Sequence, residues 1–478
     1  MTADLSAGDW YKLEIGERGV YRIDHKMLRK LGIDPSDINP AGIRIFGNAG
    51  GMLAQSNAKP RPGGLIENAI LVNGEADGKF DAGDFILFYA EGPDRVEFNG
   101  PSGTFSYESN LYADKNYYFL TVSNQPGKRI VTSQNAGDGF PAITSYNDFL
   151  YHEIDQNNDQ HSGREWFGEK FGVSTNEHAF TLSVDGIADS GPIKIVSDVL
   201  GQSHSFASFT LAFNDVPIGE QDLVPIPNSR YGVKGIHQRD TFVIDPAAID
   251  VSSRVEHQLK YQFVKGQGLS QAYLDFFLVS FERHLKLYGS QTIFLSARSM
   301  ENAVSEFQIN GVPNGVRIWD VTDPYNALDQ EFTVENNMAR FATPTDQLKT
   351  FVVFDNDIQA PAIIGKIQPQ NLRGIASPDL VIVTHPEFHS EALRLAAHRE
   401  SFSNLTAVVV TTLEVYNEFS SRSQDVAAIR DFMRHIYGND PPSHKALLLF
   451  GKGSYDFKDR VPNNTNFVIT YESRNSLH

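Results

Sequence analysis

Along most of the chain, apolar and polar positions alternate with a period of two, and only near the C-terminus does a period of 3.6 take over. Trp10 to Ile15 alternates, Gly16-Glu17-Arg18-Gly19 supplies a turn, and Val20-Tyr21-Arg22-Ile23 returns, which predicts a β-hairpin. Asp24 is placed to cap a short helix reaching Leu31, with Gly32 as its stop. Further strands are predicted at 43–46, 70–72, 85–89 and 117–120. Between 140 and 285 the alternation persists at 179–183, 193–196, 209–213 and 273–278, punctuated by Gly, Asp, Asn and Pro as sandwich turns require. A second set of short strands follows at 316–319, 331–334 and 351–354, and a proline-containing linker runs from 360 to 369.

Beyond the linker the pattern changes. Leu380-Val381-Ile382-Val383, Ala407-Val408-Val409-Val410 and Ala446-Leu447-Leu448-Leu449-Phe450 are bare apolar runs, and helical periodicity separates them. Strands with no polar face belong to a parallel sheet covered on both sides, whose chemistry sits at the C-terminal strand ends. Thr384 and Glu387 have capping-box spacing, with Pro386 in the first turn. Phe388, Ala392, Leu395 and Ala396 then share one helix face; Ile429, Phe432, Met433 and Ile436 share another, with Gly438 as a stop. The expected organisation is a multidomain α+β protein. It comprises a β-dominated or α+β domain at 8–135, a β-sandwich-like domain at 140–285, a small β domain at 287–360, and the opening part of an α/β domain at 370–478.

Composition narrows the function classes. The formal net charge of -18 argues against a nucleic-acid partner, because phosphate binding needs a basic face. The 33 Phe and 18 Tyr suit strands. There is no cysteine, so disulfides, thiolate metal sites and a cysteine nucleophile are excluded within this chain. Met1-Thr2-Ala3-Asp4 has no basic region ahead of an apolar core, so any export signal would have to lie upstream. No run approaches the roughly 18 apolar residues of a membrane span, and a soluble chain is expected.

Candidate chemistry is sparse. His385 follows the first apolar run and is a candidate general base, though such a residue more often shapes a strand-to-helix turn. Gly451-Lys452-Gly453-Ser454 lacks the spacing of a phosphate-binding loop and reads as a tight turn. Asp77, Asp81 and Asp84 gather carboxylates in one loop and are candidate calcium ligands, but Lys79 stands where such a loop wants an oxygen donor. Asp155, Asn157 and Asp159 present a similar case without a glycine at the sixth position. Ser162 to Glu169, with Arg164, Trp166 and Phe167, has neither period and suits an Arg–carboxylate and aromatic lock between domains.

Several segments, in order, resemble the type IX secretion system sortases of the gingipain-like cysteine peptidase family. They include Gly8-Asp9-Trp10-Tyr11-Lys12 with Gly19-Val20-Tyr21-Arg22-Ile23, then Ile43-Arg44-Ile45-Phe46-Gly47-Asn48, Asp81 to Tyr89, and Ser162 to Glu169. Arg317-Ile318-Trp319-Asp320 with Val321-Thr322-Asp323-Pro324 continues the series, and the likeness is densest in 378–386, 416–420, 428–433 and 447–456. The resemblance implies a caspase- or gingipain-like α/β/α peptidase domain preceded by β-rich domains. It also implies a surface enzyme, associated with the outer membrane, that removes C-terminal sorting domains from secreted cargo and links the cargo to anionic lipopolysaccharide. An outer-membrane shuttle protein is the implied partner. The family's catalytic His, in a Gly-His-Gly setting, and its Cys are expected downstream of His478; neither pattern occurs here, and His478 is not given the role. Lys452 stands where the family often has Asp. The expectation is therefore the N-terminal part of such a sortase, inactive alone. The alternative is a non-catalytic surface binding or adhesion protein on a degenerate peptidase-like scaffold.

Overall fold

The structure, a computed structural model, describes residues 3–60, 63–159, 161–421, 423–439 and 445–473. Strand β1 (Trp10–Ile15) pairs antiparallel with Asn116–Val122 on one side and Ala362–Lys366 on the other. Strand β2 (Gly19–Asp24) pairs with Phe85–Ala90 in a different sheet. The predicted hairpin does not form, because β2 is apolar on both faces. Tyr21 and Ile23 enter the core shared with Leu13 and Ile15, whereas Val20 packs with Leu87, Trp319 and Val352. Burying an aliphatic side chain is worth about 1.5–3 kcal/mol, which a two-stranded surface ribbon would forfeit at Val20. Helix α1 (His25–Leu31) forms as its local signals require. Asp24 accepts the Met27 amide, and Gly32 closes the helix at a φ of 89°. The stretch read as a linker contributes the edge strand Ala362–Lys366 to the N-terminal sheet.

The middle of the chain is a sandwich. One sheet orders Ser145–Glu153, Ser270–His284, Ile193–Ser203 and Ile236–Ile244; the last three in chain order are β3 (Ile193–Ser203), β4 (Ile236–Ile244) and β5 (Ser270–His284). The facing sheet orders Glu177–Ser183, Glu256–Val264, Ala207–Phe213 and Val216–Leu223. Their inner faces bury Phe209, Leu211, Phe213, Tyr261, Phe263, Ile193 and Ile195. A second pair of sheets, built mainly from residues 291–354, closes around Phe294, Phe307, Phe341 and Phe351.

The C-terminal unit is the expected parallel sheet. Strand β6 (Leu380–Thr384) lies between β7 (Ala407–Thr411) and β8 (Ala446–Phe450), all parallel. Helix α2 (His389–Ser403) covers one face by setting Ala392 and Ala396 on Leu380 and Ile382. The other face takes two helices where the periodicity suggested one: α3 (Thr412–Phe419) and α4 (Val426–Asn439). They pack Val415, Tyr416, Ile429, Phe432 and Ile436 against Val381, Val383 and Val410.

The capping box is also in a different place. Thr411 and Glu414 form one at the start of α3. Thr384 instead donates its hydroxyl to the Phe450 carbonyl, 3.0 Å away, because β6 is the central strand and β8 lies within reach. A single 3₁₀ turn, Pro386–Phe388, precedes α2, capped by His385.

Candidate functional site

The C-terminal ends of the parallel strands meet at Thr384, Thr411 and Phe450. In an α/β unit this is the edge where chemistry is assembled. His385 Nδ1 accepts the Glu387 amide at 3.3 Å. Its ring packs edge-on to Phe467 at 5.2 Å, and Phe388 packs on the Phe467 ring at 4.7 Å. The imidazole thus holds the strand-to-helix turn against a strip of aromatic side chains.

The glycines after β8 have a packing reason. The Phe467 amide donates to the Lys452 carbonyl at 2.8 Å, which brings 467–470 alongside 451–453. A Cβ on Gly453 would lie 2.5 Å from Thr470 Cγ2, and one on Gly451 would lie 2.9 Å from Val468. Only glycine tolerates this approach, and the loop is a seat for its own chain rather than a phosphate cradle. Asp456 is fully buried and accepts the Val461 amide at 2.6 Å, organising the next turn.

The segment 162–169 is a strap between the sandwich and this unit. The Gly163 amide donates to Glu472 Oε2 at 2.8 Å, and Arg164 donates to the Glu472 carbonyl at 3.1 Å. Trp166 stacks on Tyr455 at 6.1 Å, and the Arg460 guanidinium lies 4.8 Å from the Trp166 ring centre. Arg460 also pairs with Asp155. The lock has the composition read from the sequence, but its ion pair is made by Arg460 and Asp155, whereas Arg164 meets a main-chain carbonyl.

On the other flank, Asp425 is a structural acid the sequence reading missed. It is buried and accepts the amides of Leu53 at 2.8 Å and Ala427 at 2.7 Å, tying the N-terminal loop to α4. Burial pushes its carboxyl up to about 6, against those hydrogen bonds. Its signal was available, since Ser423-Gln424-Asp425 precedes an apolar helix face as a capping residue would.

The carboxylates singled out as calcium candidates serve their own surroundings. Asp77 accepts the Lys79 amide at 3.0 Å, Asp84 accepts the Asp81 amide at 2.7 Å, and Asp77 and Asp81 are exposed. Asp155 faces Arg460, Asn157 donates to the Gly168 carbonyl at 2.6 Å, and Asp159 accepts from the Tyr273 hydroxyl at 2.5 Å. Among the described residues, the acids and histidine gathered closely enough for a metal are Asp198, His237 and Asp275, on the sandwich. The placement of His478 lies outside the described residues.

Residues 375–477 match the family described as Peptidase family C25. The chain takes the fold of dimeric latent PorU from Porphyromonas gingivalis, with a TM-score of 0.84 at 24% identity over 98% of this chain. It spans 45% of the PorU chain. A carbohydrate-binding module, CBM36 in complex with calcium and xylotriose, aligns at 12% identity with a TM-score of 0.19, covering 28% of this chain and 98% of that one. No curated protein matches the chain by sequence.

Proposed function

We propose that this chain is the N-terminal region of a cell-surface cysteine peptidase of sortase type, which removes C-terminal sorting domains from type IX secretion cargo and links the cargo to anionic lipopolysaccharide. One observation supports it: the PorU fold extends over 98% of the chain and includes the C25-matching α/β unit. In this reading the β-rich domains engage cargo or an outer-membrane shuttle protein, and the strand ends at Thr384, Thr411 and Phe450 form the floor of the active site. Among the described residues, no helix is long and apolar enough to cross a membrane.

The chain alone does not cut. An acyl-enzyme route needs a thiolate with its base in hydrogen-bond reach, and there is no cysteine here. Among the described residues, strand β8 is one edge of the parallel sheet, with Leu447 and Leu449 about two-fifths exposed. A further parallel strand would pair there and cover them.

The experiment compares this chain with the product of the same gene read beyond codon 478, each incubated with a cargo protein carrying its sorting domain. Mass spectrometry is expected to find thiol-reagent-sensitive cleavage by the longer product and none by this chain. A gene that stops at codon 478, or cleavage by this chain alone, would sink the proposal.

A further inference from the structure

The outer face of the sandwich carries a cluster that none of the foregoing uses. Asp198 lies on β3, His237 on β4 and Asp275 on β5. One donor atom from each lies within 4.8 Å of the others. Three adjacent strands supply them, so they are held by sheet hydrogen bonding rather than by loops.

The sheet is irregular at this point. In the β3–β5 ladder, Asp198 pairs with Phe276 and Val199 with Leu274, leaving Asp275 as the extra residue of a bulge. Without the bulge, strict alternation would send Asp275 and Phe276 to opposite faces. A bulge re-aims a side chain, and here it brings the Asp275 carboxylate beside Asp198.

We propose that Asp198, His237 and Asp275 form a binding site for a divalent transition-metal ion, with Zn²⁺ the best fit. An imidazole nitrogen with two carboxylate oxygens is a donor set that zinc accepts, with solvent in the fourth position. A tetrahedral ion with bonds of about 2.0–2.2 Å keeps its ligand atoms a little over 3 Å apart. His237 Nδ1 and Asp198 Oδ1 are separated by 3.0 Å, so small adjustments admit the ion.

The surrounding hydrogen bonds are those a metal site requires. His237 directs its other nitrogen, Nε2, at Glu165 Oε2, 3.3 Å away, which holds the ring with Nδ1 turned toward Asp198. Arg239 Nε holds the second oxygen of Asp198 at 2.6 Å, leaving Oδ1 directed at the histidine. Asp198 is buried, Asp275 is half-buried and His237 is exposed, which leaves the ion a route in. Through Glu165 the site reaches the strap that docks on Glu472 and Tyr455, so metal binding would stiffen the junction.

The competitor is a proton on Nδ1, and binding the ion releases it. The test is calorimetric titration of ZnCl₂ into the whole chain after dialysis against EDTA, beside His237→Ala and Asp275→Asn. About one equivalent is expected to bind saturably and raise the melting temperature, with affinity at least about tenfold weaker in each variant. Co²⁺ in the same site is expected to show the visible absorption of tetrahedral coordination. Asp275→Asn nearly conserves shape, so its melting temperature without metal controls for misfolding. Absence of saturable Zn²⁺ binding, or binding unchanged in both variants, would overturn the proposal. So would equal affinity for Ca²⁺, which shuns imidazole.

Discussion

The Gly163 amide donates to the carboxylate of Glu472 across 2.8 Å and 309 positions of sequence. That bond joins the sandwich to the stretch that follows β8 in the α/β unit, and a glycine is required to make it. A Cβ at position 163 would sit 2.5 Å from the Phe457 ring and 2.9 Å from Glu472 Oε1.

Gly163→Val is therefore expected to undock the strap. Overpacking of this kind costs about 1–3 kcal/mol. Limited proteolysis should open the chain between the sandwich and the α/β unit in the variant before the wild type. Equal cleavage rates would show that the strap holds nothing.

Asp425 gives a pH dependence whose sign follows from its burial. Its folded carboxyl is raised to about 6 from 3.8, so between these values the native state binds more protons than the unfolded one. Its contribution to stability is then greatest below about pH 4 and is lost as the pH rises through about 6. Asp425→Asn removes this dependence while also weakening the acceptor for Leu53. The stability of the variant relative to wild type should thus improve with rising pH, by on the order of 1–3 kcal/mol between pH 4 and 7. Urea denaturation at the two pH values measures it, and a constant difference would contradict the assignment.

Thr411 and Thr384 test which threonine caps a helix. Thr411→Ala removes half of the capping box and is expected to cost about 1 kcal/mol, with fraying of α3 visible by hydrogen exchange. Thr384→Ala removes the bond to the Phe450 carbonyl and should instead raise exchange along β6 and β8. Fraying at the start of α2 in Thr384→Ala would restore the cap expected from spacing.

The open edge of the parallel sheet predicts association. Leu447 and Leu449 are 41% and 40% exposed on a strand that, among the described residues, pairs on one side only. Leu447→Lys combined with Leu449→Lys should reduce concentration-dependent self-association measured by sedimentation velocity, with little change in melting temperature. A wild-type chain that stays monomeric at high concentration would remove the premise.

The parts legible in advance were those whose cause is local. Asp24 and Gly32 bracket α1 because caps act within one turn. The runs at 380–383 and 407–410 announced a sheet covered on both faces because no polar residue interrupts them. The hairpin from β1 to β2 misled, because a turn and two alternating strands look alike whether the strands pair together or apart. Their true neighbours, Asn116–Val122 and Phe85–Ala90, lie far along the chain. Of the strap, the aromatic and charged residues were visible, but Glu472 as their partner was not.

Sequence by itself thus determined the order of β-rich and α/β regions, the parallel character of the C-terminal sheet, the lack of a thiol, and the family resemblance. Tertiary structure decided which strands share a sheet and which acids face cations. It also brought Asp198, His237 and Asp275 together through a bulge. The physical reason is range: alternation, caps and turns act over a few residues, whereas strand partnership and burial are set by packing surfaces that meet only after folding.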